Sequence, residues 1–133
     1  MRRRRSATAL LVAAAAAVAG CGAEDFPNEP RPASAIDLSA KIDDSKVVVD
    51  PSEVGAGLAT VTISNQSDDE VALDFTGPSD RSTNAIPAGG IASVSLMLAE
   101  GDYSIEPDVS TIASDTLVVG AERASAQNDL LLP

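Results

Sequence analysis

Few side chains in this 133-residue chain can do chemistry, and their spacing limits what that chemistry is. Cys21 is the single cysteine and histidine is absent. A lone thiol forms no intramolecular disulfide, no CxxC redox pair and no thiolate zinc cluster, and without imidazole the usual general base and commonest metal ligand are missing. Carboxylates cluster at Asp43-Asp44 and Asp68-Asp69-Glu70, supplying oxygens that suit a hard cation such as calcium, but no DxDxDG-like loop gathers the six to eight oxygens that calcium takes. Both clusters read as solvated turns. A glycosidase-type carboxylate pair needs a cleft with an aromatic wall, and the only aromatics are Phe26, Phe75 and Tyr103. Ser79, Ser82 and Thr83 have no activating base in the sequence and read as loop. The chain is expected not to be an enzyme and to need no cofactor.

Nine basic residues stand against 20 acidic ones, for a net charge of -11. Four of the nine are Arg2 to Arg5, so from Cys21 onward five basic residues face all 20 acids. So acidic a body repels phosphate backbones, which argues against nucleic-acid binding.

Arg2 to Arg5 and the apolar run Ala7 to Ala19 have the layout of an export signal over residues 1–20. As a helix the run spans only about 20 Å, short of the roughly 30 Å core of a bilayer. Ser6-Ala7-Thr8 follows the arginines where the twin-arginine route favours a bulky apolar pair, so that route is weakly signalled. The run ends in Val18-Ala19-Gly20-Cys21, which resembles a bacterial lipobox. The resemblance implies cleavage between Gly20 and Cys21, a diacylglyceryl thioether on Cys21, and attachment to the extracytoplasmic face of the cell membrane. More than one acyl chain is needed for stable anchoring, which a lipobox cysteine would supply. Gly22 to Ala35 carries Pro27, Pro30 and Pro32 among small and acidic residues and reads, with Cys21, as a tether over 21–35 that reaches about 43 Å when extended.

From Ile36 the pattern alternates with period two. Ile36, Leu38, Ala40 and Ile42 share one face; Asp43-Asp44-Ser45 turns into Val47 and Val49. Pro51 to Gly57 breaks the pattern before Leu58 to Asn65, where Ala59, Val61 and Ile63 point inward. Further strands are expected at Val71 to Phe75, briefly at Ala85-Ile86, at Ile91 to Leu98, at Tyr103 to Ile105, and at Thr116 to Val119, ending at Gly120. Short strands with frequent turn signals and no helical period predict an all-β domain over 36–120, an antiparallel Greek-key sandwich.

The stretches "TVTISNQS" and "AIPAGGIASVSLMLAEGDYSI" are similar to the cupredoxin-like fold, in which a strand ends in Asn, a Pro-Gly turn leads a long strand, and Gly-x-Tyr follows one turn later. An immunoglobulin-like sandwich is the alternative. In copper-binding cupredoxins a histidine lies soon after that Asn and a Cys, His and Met cluster follows the Gly-x-Tyr. Val71 stands near the first place and Pro107 near the cysteine place, so the resemblance implies a fold kept without blue-copper chemistry.

Residues 121–133 form a polar tail tipped by Leu130, Leu131 and Leu132. These leucines either pack back on an open edge of the sandwich or dock an envelope partner. The expected function is that of a membrane-anchored lipoprotein whose sandwich is a non-catalytic binding or accessory module. The alternative is a metal or small-ligand carrier of the envelope, holding calcium or delivering copper through Met97 and carboxylates.

Overall fold

The computed structural model describes residues 32–124. The proposed signal segment, Gly20, Cys21 and Leu130 to Leu132 therefore lie outside the described residues, as does most of the tether.

Eight strands follow one another without a helix among the described residues: β1 Ile36–Ile42, β2 Val47–Asp50, β3 Glu53–Asn65, β4 Leu73–Thr76, β5 Arg81–Ser82, β6 Ile91–Leu98, β7 Gly101–Pro107 and β8 Asp115–Glu122. The alternation of β1, β2 and β6 buries every second side chain, as the period-two pattern requires. One sheet runs β2-β1-β3-β6 and the other runs β3-β8-β7-β4-β5. Valine, leucine, isoleucine and alanine from both sheets make one core around Phe75 and Tyr103.

β3 belongs to both sheets. Its first residues, Glu53 to Ala56, pair with β8; from Gly57 to Ser64 it pairs with β6, and from Ala59 to Asn65 with β1 on its other edge. The expected break over Pro51 to Gly57 is thus a strand from Glu53 onward, carrying an irregularity between Gly55 and Ala56 where it changes sheet. Gly57 has φ of +134°, which side chains of L-residues rarely adopt. A Cβ on Gly55 would also lie 2.5 Å from Cγ of Arg123.

The antiparallel expectation holds for most pairs but not for β1 with β3 or β3 with β8, which are parallel. Parallel neighbours need a crossover. Here β2 supplies the return between β1 and β3, because the chain leaves β2 for the opposite sheet through Pro51-Ser52 and re-enters the first sheet only after Ala56. The brief strand expected at Ala85-Ile86 is a single bridge, Val71 to Ile86, and the added strand lies earlier, at Arg81–Ser82. Pro87 follows Ile86 and has no N–H with which to extend the pairing. β8 runs two residues past Gly120.

Arg123 secures the sheet change. Its Nε donates to the carbonyls of Gly55 at 3.2 Å and Ala56 at 3.3 Å, Nη2 donates to Leu58 O at 2.6 Å, and Nη1 reaches Ser34 O at 2.7 Å. Arg123 N also donates to Ala56 O at 3.1 Å, so one half-buried residue adds its donors to the carbonyls around the ladder irregularity and ties them to the segment leading into β1. Arg123→Ala is expected to lower unfolding free energy by about 2 kcal/mol, since it strips a charged donor from several carbonyls at once. Arg123→Lys is expected to recover only part of this, because an ammonium lacks the planar fork. Urea denaturation of the three proteins measures both.

Candidate functional site

The end of the sandwich at which the resemblance would place a metal is built from the close of β3, the bridge at Val71 and the close of β7. Asn65, the last residue of β3, is fully buried. Its Nδ2 donates to Asp69 O and Ile86 O, both at 2.8 Å, with Pro87 O at 3.3 Å. Its Oδ1 accepts from Ser67 N at 3.0 Å and Ser67 Oγ at 2.7 Å. A buried amide needs such a set of partners, and this one joins three segments that share no sheet ladder. Ser67, also buried, completes the knot.

Val71 is fully buried and exchanges backbone hydrogen bonds with Ile86 at 3.0 and 2.9 Å. Pro107 lies opposite Leu73 in the β4–β7 ladder, and the next residue, Asp108, accepts from Ala72 N and donates to Ala72 O. The places that the resemblance assigns to histidine and cysteine are thus filled by a packed valine and a ladder proline, neither of which has a lone pair to offer from its side chain. Asn65 has its amide fully committed. At these two places neither side chain is a copper donor.

The two acidic turns meet at this same end. Asp44 Oδ1 accepts from Asp68 N at 2.8 Å, and Gln66 N donates to Ile42 O at 2.7 Å. Asp43 Oδ1 caps its own turn, accepting from Ser45 Oγ at 2.6 Å and from the N–H groups of Ser45 and Lys46 at 2.9 Å. The Ser45 hydroxyl foremost, then these two N–H groups, hold the Asp43 carboxyl well below the usual carboxylate range. These carboxylates shape turns; among the described residues no three acidic, cysteine or histidine side chains converge as a metal set would.

Met97 lies elsewhere. In the β3–β6 register Ile91 is opposite Ser64 while Met97 is opposite Leu58, so Met97 sits about 20 Å along β6 from the Asn65 end. It is 60% exposed and lines an open cleft of about 370 Å³ together with Glu100 and Glu122. Ser79 is engaged in holding a loop in place. Its Oγ donates to Met97 O at 2.9 Å and lies 2.7 Å from the buried Tyr103 hydroxyl, which in turn accepts from Ala99 N at 3.0 Å. Thr83 Oγ1 accepts from Leu73 N at 2.9 Å, and Ser82 is part of β5. A second cleft, of about 350 Å³, opens between Ile91–Val94 of β6 and the segment Arg81–Ile86.

Sequence reasoning marked Asn65 as a motif residue but missed Ser67 and Arg123. Asn-x-Ser at a strand end is the signal for the first, because an Asx turn brings the serine N–H back to the amide oxygen. Asn65→Ala leaves the buried Ser67 N–H without its acceptor and removes the amide that ties the 66–70 turn to the Ile86-Pro87 segment, and is expected to cost about 2 kcal/mol of stability by chemical denaturation.

No protein-family model matches the chain, and no curated protein matches it. Among solved structures, it is similar to Na-dithionite reduced auracyanin from the photosynthetic bacterium Roseiflexus castenholzii, at 14% identity and a TM-score of 0.47, covering 68% of this chain and 99% of that one. It is similar also to auracyanin A, a "blue" copper protein from the green thermophilic photosynthetic bacterium Chloroflexus aurantiacus, at 16% identity and a TM-score of 0.47, covering 63% and 99%. Lac15 from a marine microbial metagenome aligns at 12% identity and a TM-score of 0.44, over 67% of this chain and 33% of that one.

Proposed function

We propose that this chain is an exported lipoprotein, attached through Cys21 to the extracytoplasmic face of the cell membrane, whose β-sandwich is cupredoxin-like and serves as a non-catalytic binding or accessory module. The observation that carries the reading is the position of Val18-Ala19-Gly20-Cys21 at the close of a charged and then apolar leader. A thiol is the only side chain in the chain suited to a thioether-linked lipid, and there is one of it. Residues 22–35 leave room for a tether before β1 begins at Ile36.

The cupredoxin-like assignment rests on three motifs that fall at matching points of the chain. Asn65 closes β3, Pro87 to Gly90 precede β6, and Gly101 to Tyr103 open β7. Gly101 has φ of +139°, and Tyr103 is fully buried with its hydroxyl bonded into the preceding loop. The non-catalytic reading is supported by the use of Ser79, Thr83, Asp43, Asp44 and Asn65 in structural hydrogen bonds.

Cys21→Ser is expected to leave the precursor uncleaved or to release the protein from membranes, with the domain folded as before. Membrane fractionation and palmitate labelling measure this. A substituted protein that is still processed and still labelled would sink the lipoprotein reading.

One observation favours the carrier as a second reading: the cleft that gathers Met97, Glu100 and Glu122. A thioether with two carboxylates offers a cuprous or hard-cation site according to which donors engage. A ligand that binds only the folded form raises its melting temperature, so titration with copper and with calcium is expected to shift the melt under this reading. No shift with either ion removes it.

A further inference from the structure

The two sheets leave one long strand edge open. β6 pairs with β3 along one side, and along the other no strand pairs with it among the described residues, where Ser79 Oγ reaches it only at Met97 O. The remaining edges are short or covered. β5 has two residues, and β2 is capped where Val47 N donates to Ala113 O at 2.8 Å and Val49 N to Asp115 Oδ2 at 2.8 Å.

The direction of each peptide group of β6 follows from its register. Asn65 N donates to Gly90 O, so along the antiparallel ladder the even-numbered residues Ala92, Val94, Leu96 and Leu98 turn their polar groups toward β3. Ile91, Ser93, Ser95 and Met97 therefore turn theirs toward the open edge. The bond from Ser79 Oγ to Met97 O agrees with that direction.

Natural edges are protected by lysine, proline, bulges or inward charges. β6 has none of these over its eight residues. The outer face that it shares with β3 is Ile91, Ser93, Ser95 and Met97 beside Leu58, Thr60, Thr62 and Ser64, with no charge at any position. In a chain of net charge -11, this is where two copies can approach with least repulsion. Ile91 is 74% exposed, and Val94 and Leu96, at 8% and 6%, are wetter than most of the core, as an uncovered edge implies.

We propose that β6 is a self-association edge, pairing antiparallel with β6 of a second copy of this chain about a two-fold axis at Val94. A two-fold pairing demands that the strand complement its own reverse. Centred on Val94, Ser93 faces Ser95 of the second copy and Ile91 faces its Met97, so serine meets serine and apolar meets apolar on the outer face. Val94 meets its own counterpart on the inner face. The outward peptide groups from Ile91 to Met97, apart from the Met97 carbonyl that Ser79 Oγ occupies, then find partners, about six hydrogen bonds in the joined ladder. The cleft between Ile91–Val94 and Arg81–Ile86 gives the incoming strand its space.

The test uses the full chain carrying Cys21→Ser, which removes any lipid or disulfide contribution to association, with mass followed by light scattering from micromolar to millimolar concentration. The mass is expected to rise toward twice that of the chain. S93K/S95K sets lysine against lysine and is expected to hold the chain monomeric while it still melts cooperatively, at a temperature independent of concentration, whereas S93K/S95E sets lysine against glutamate twice over and is expected to dimerise. In the parent chain, the Ser93 and Ser95 amides are expected to exchange more slowly with deuterium as concentration rises, a readout that stands whether or not the variants fold. A chain that stays monomeric throughout, a lysine pair that dimerises like the parent, a lysine-glutamate pair that fails to dimerise, or Ser93 and Ser95 amides that exchange fast at every concentration would each overturn the proposal.

Discussion

β3 runs thirteen residues but serves two sheets, and the guanidinium of Arg123 is what makes this feasible. A strand that changes partner must interrupt its ladder, and an interrupted ladder leaves carbonyls without N–H donors. Glycine at 55 and 57 lets the backbone bend and lets the arginine lie close, while its fixed fork of donors meets the carbonyls on both sides of the bend. Since β8 pairs with β3 before the bend and β6 after it, both sheets take their registry from this one crossing. The contact to Ser34 O draws the lead-in to β1 to the same point. The end of the last strand thereby holds the start of the first.

The opposite end is held by a different device with the same logic. Asn65 draws together the 66–70 turn and the Ile86-Pro87 segment through its side-chain amide, and the Val71–Ile86 bridge continues that closure into the core. A metal centre also works by pulling ligands from several loops to a point, and needs lone pairs aimed inward to do so. Here the inward positions are apolar and the polar atoms are consumed in bonds between loops. Stability at this end comes from amide geometry and packing, which is consistent with a domain that folds without histidine or a disulfide.

The acidic residues are distributed with the same economy. Asp43, Asp44 and Asp108 accept from backbone N–H groups in turns, and Asp115 caps a strand edge. Charge on these turns keeps their neighbouring edges from pairing with other chains. The serine and threonine rows of β3 and β6 show a different choice: the Thr60 and Ser95 hydroxyls lie 3.3 Å apart across the two strands, and no ionic group interrupts the row. A flat, neutral surface next to an open ladder is chemically unlike the rest of the domain.

Much of this was legible in the residues. Period-two alternation placed β1, β2, β6 and β7, because each buries one face and the pattern of burial is local. The Asn, Pro-Gly and Gly-x-Tyr positions were legible because each answers a local demand of a strand end or turn. What was not legible depended on pairs far apart in sequence. Gly55 and Gly57 read as a break because glycine weakens an ordinary strand, and only the arrival of Arg123, 68 residues beyond Gly55, turns the break into a sheet crossing. The parallel pairs of β3 were hidden for the same reason: alternation says which face a strand buries, not which neighbour it takes. Ser67 and Met97 make the contrast within the candidate sites. The serine's role follows from its distance of two residues from Asn65, whereas the methionine's neighbours, Glu100 and Glu122, come together only because β6 and β8 both end against the bend of β3.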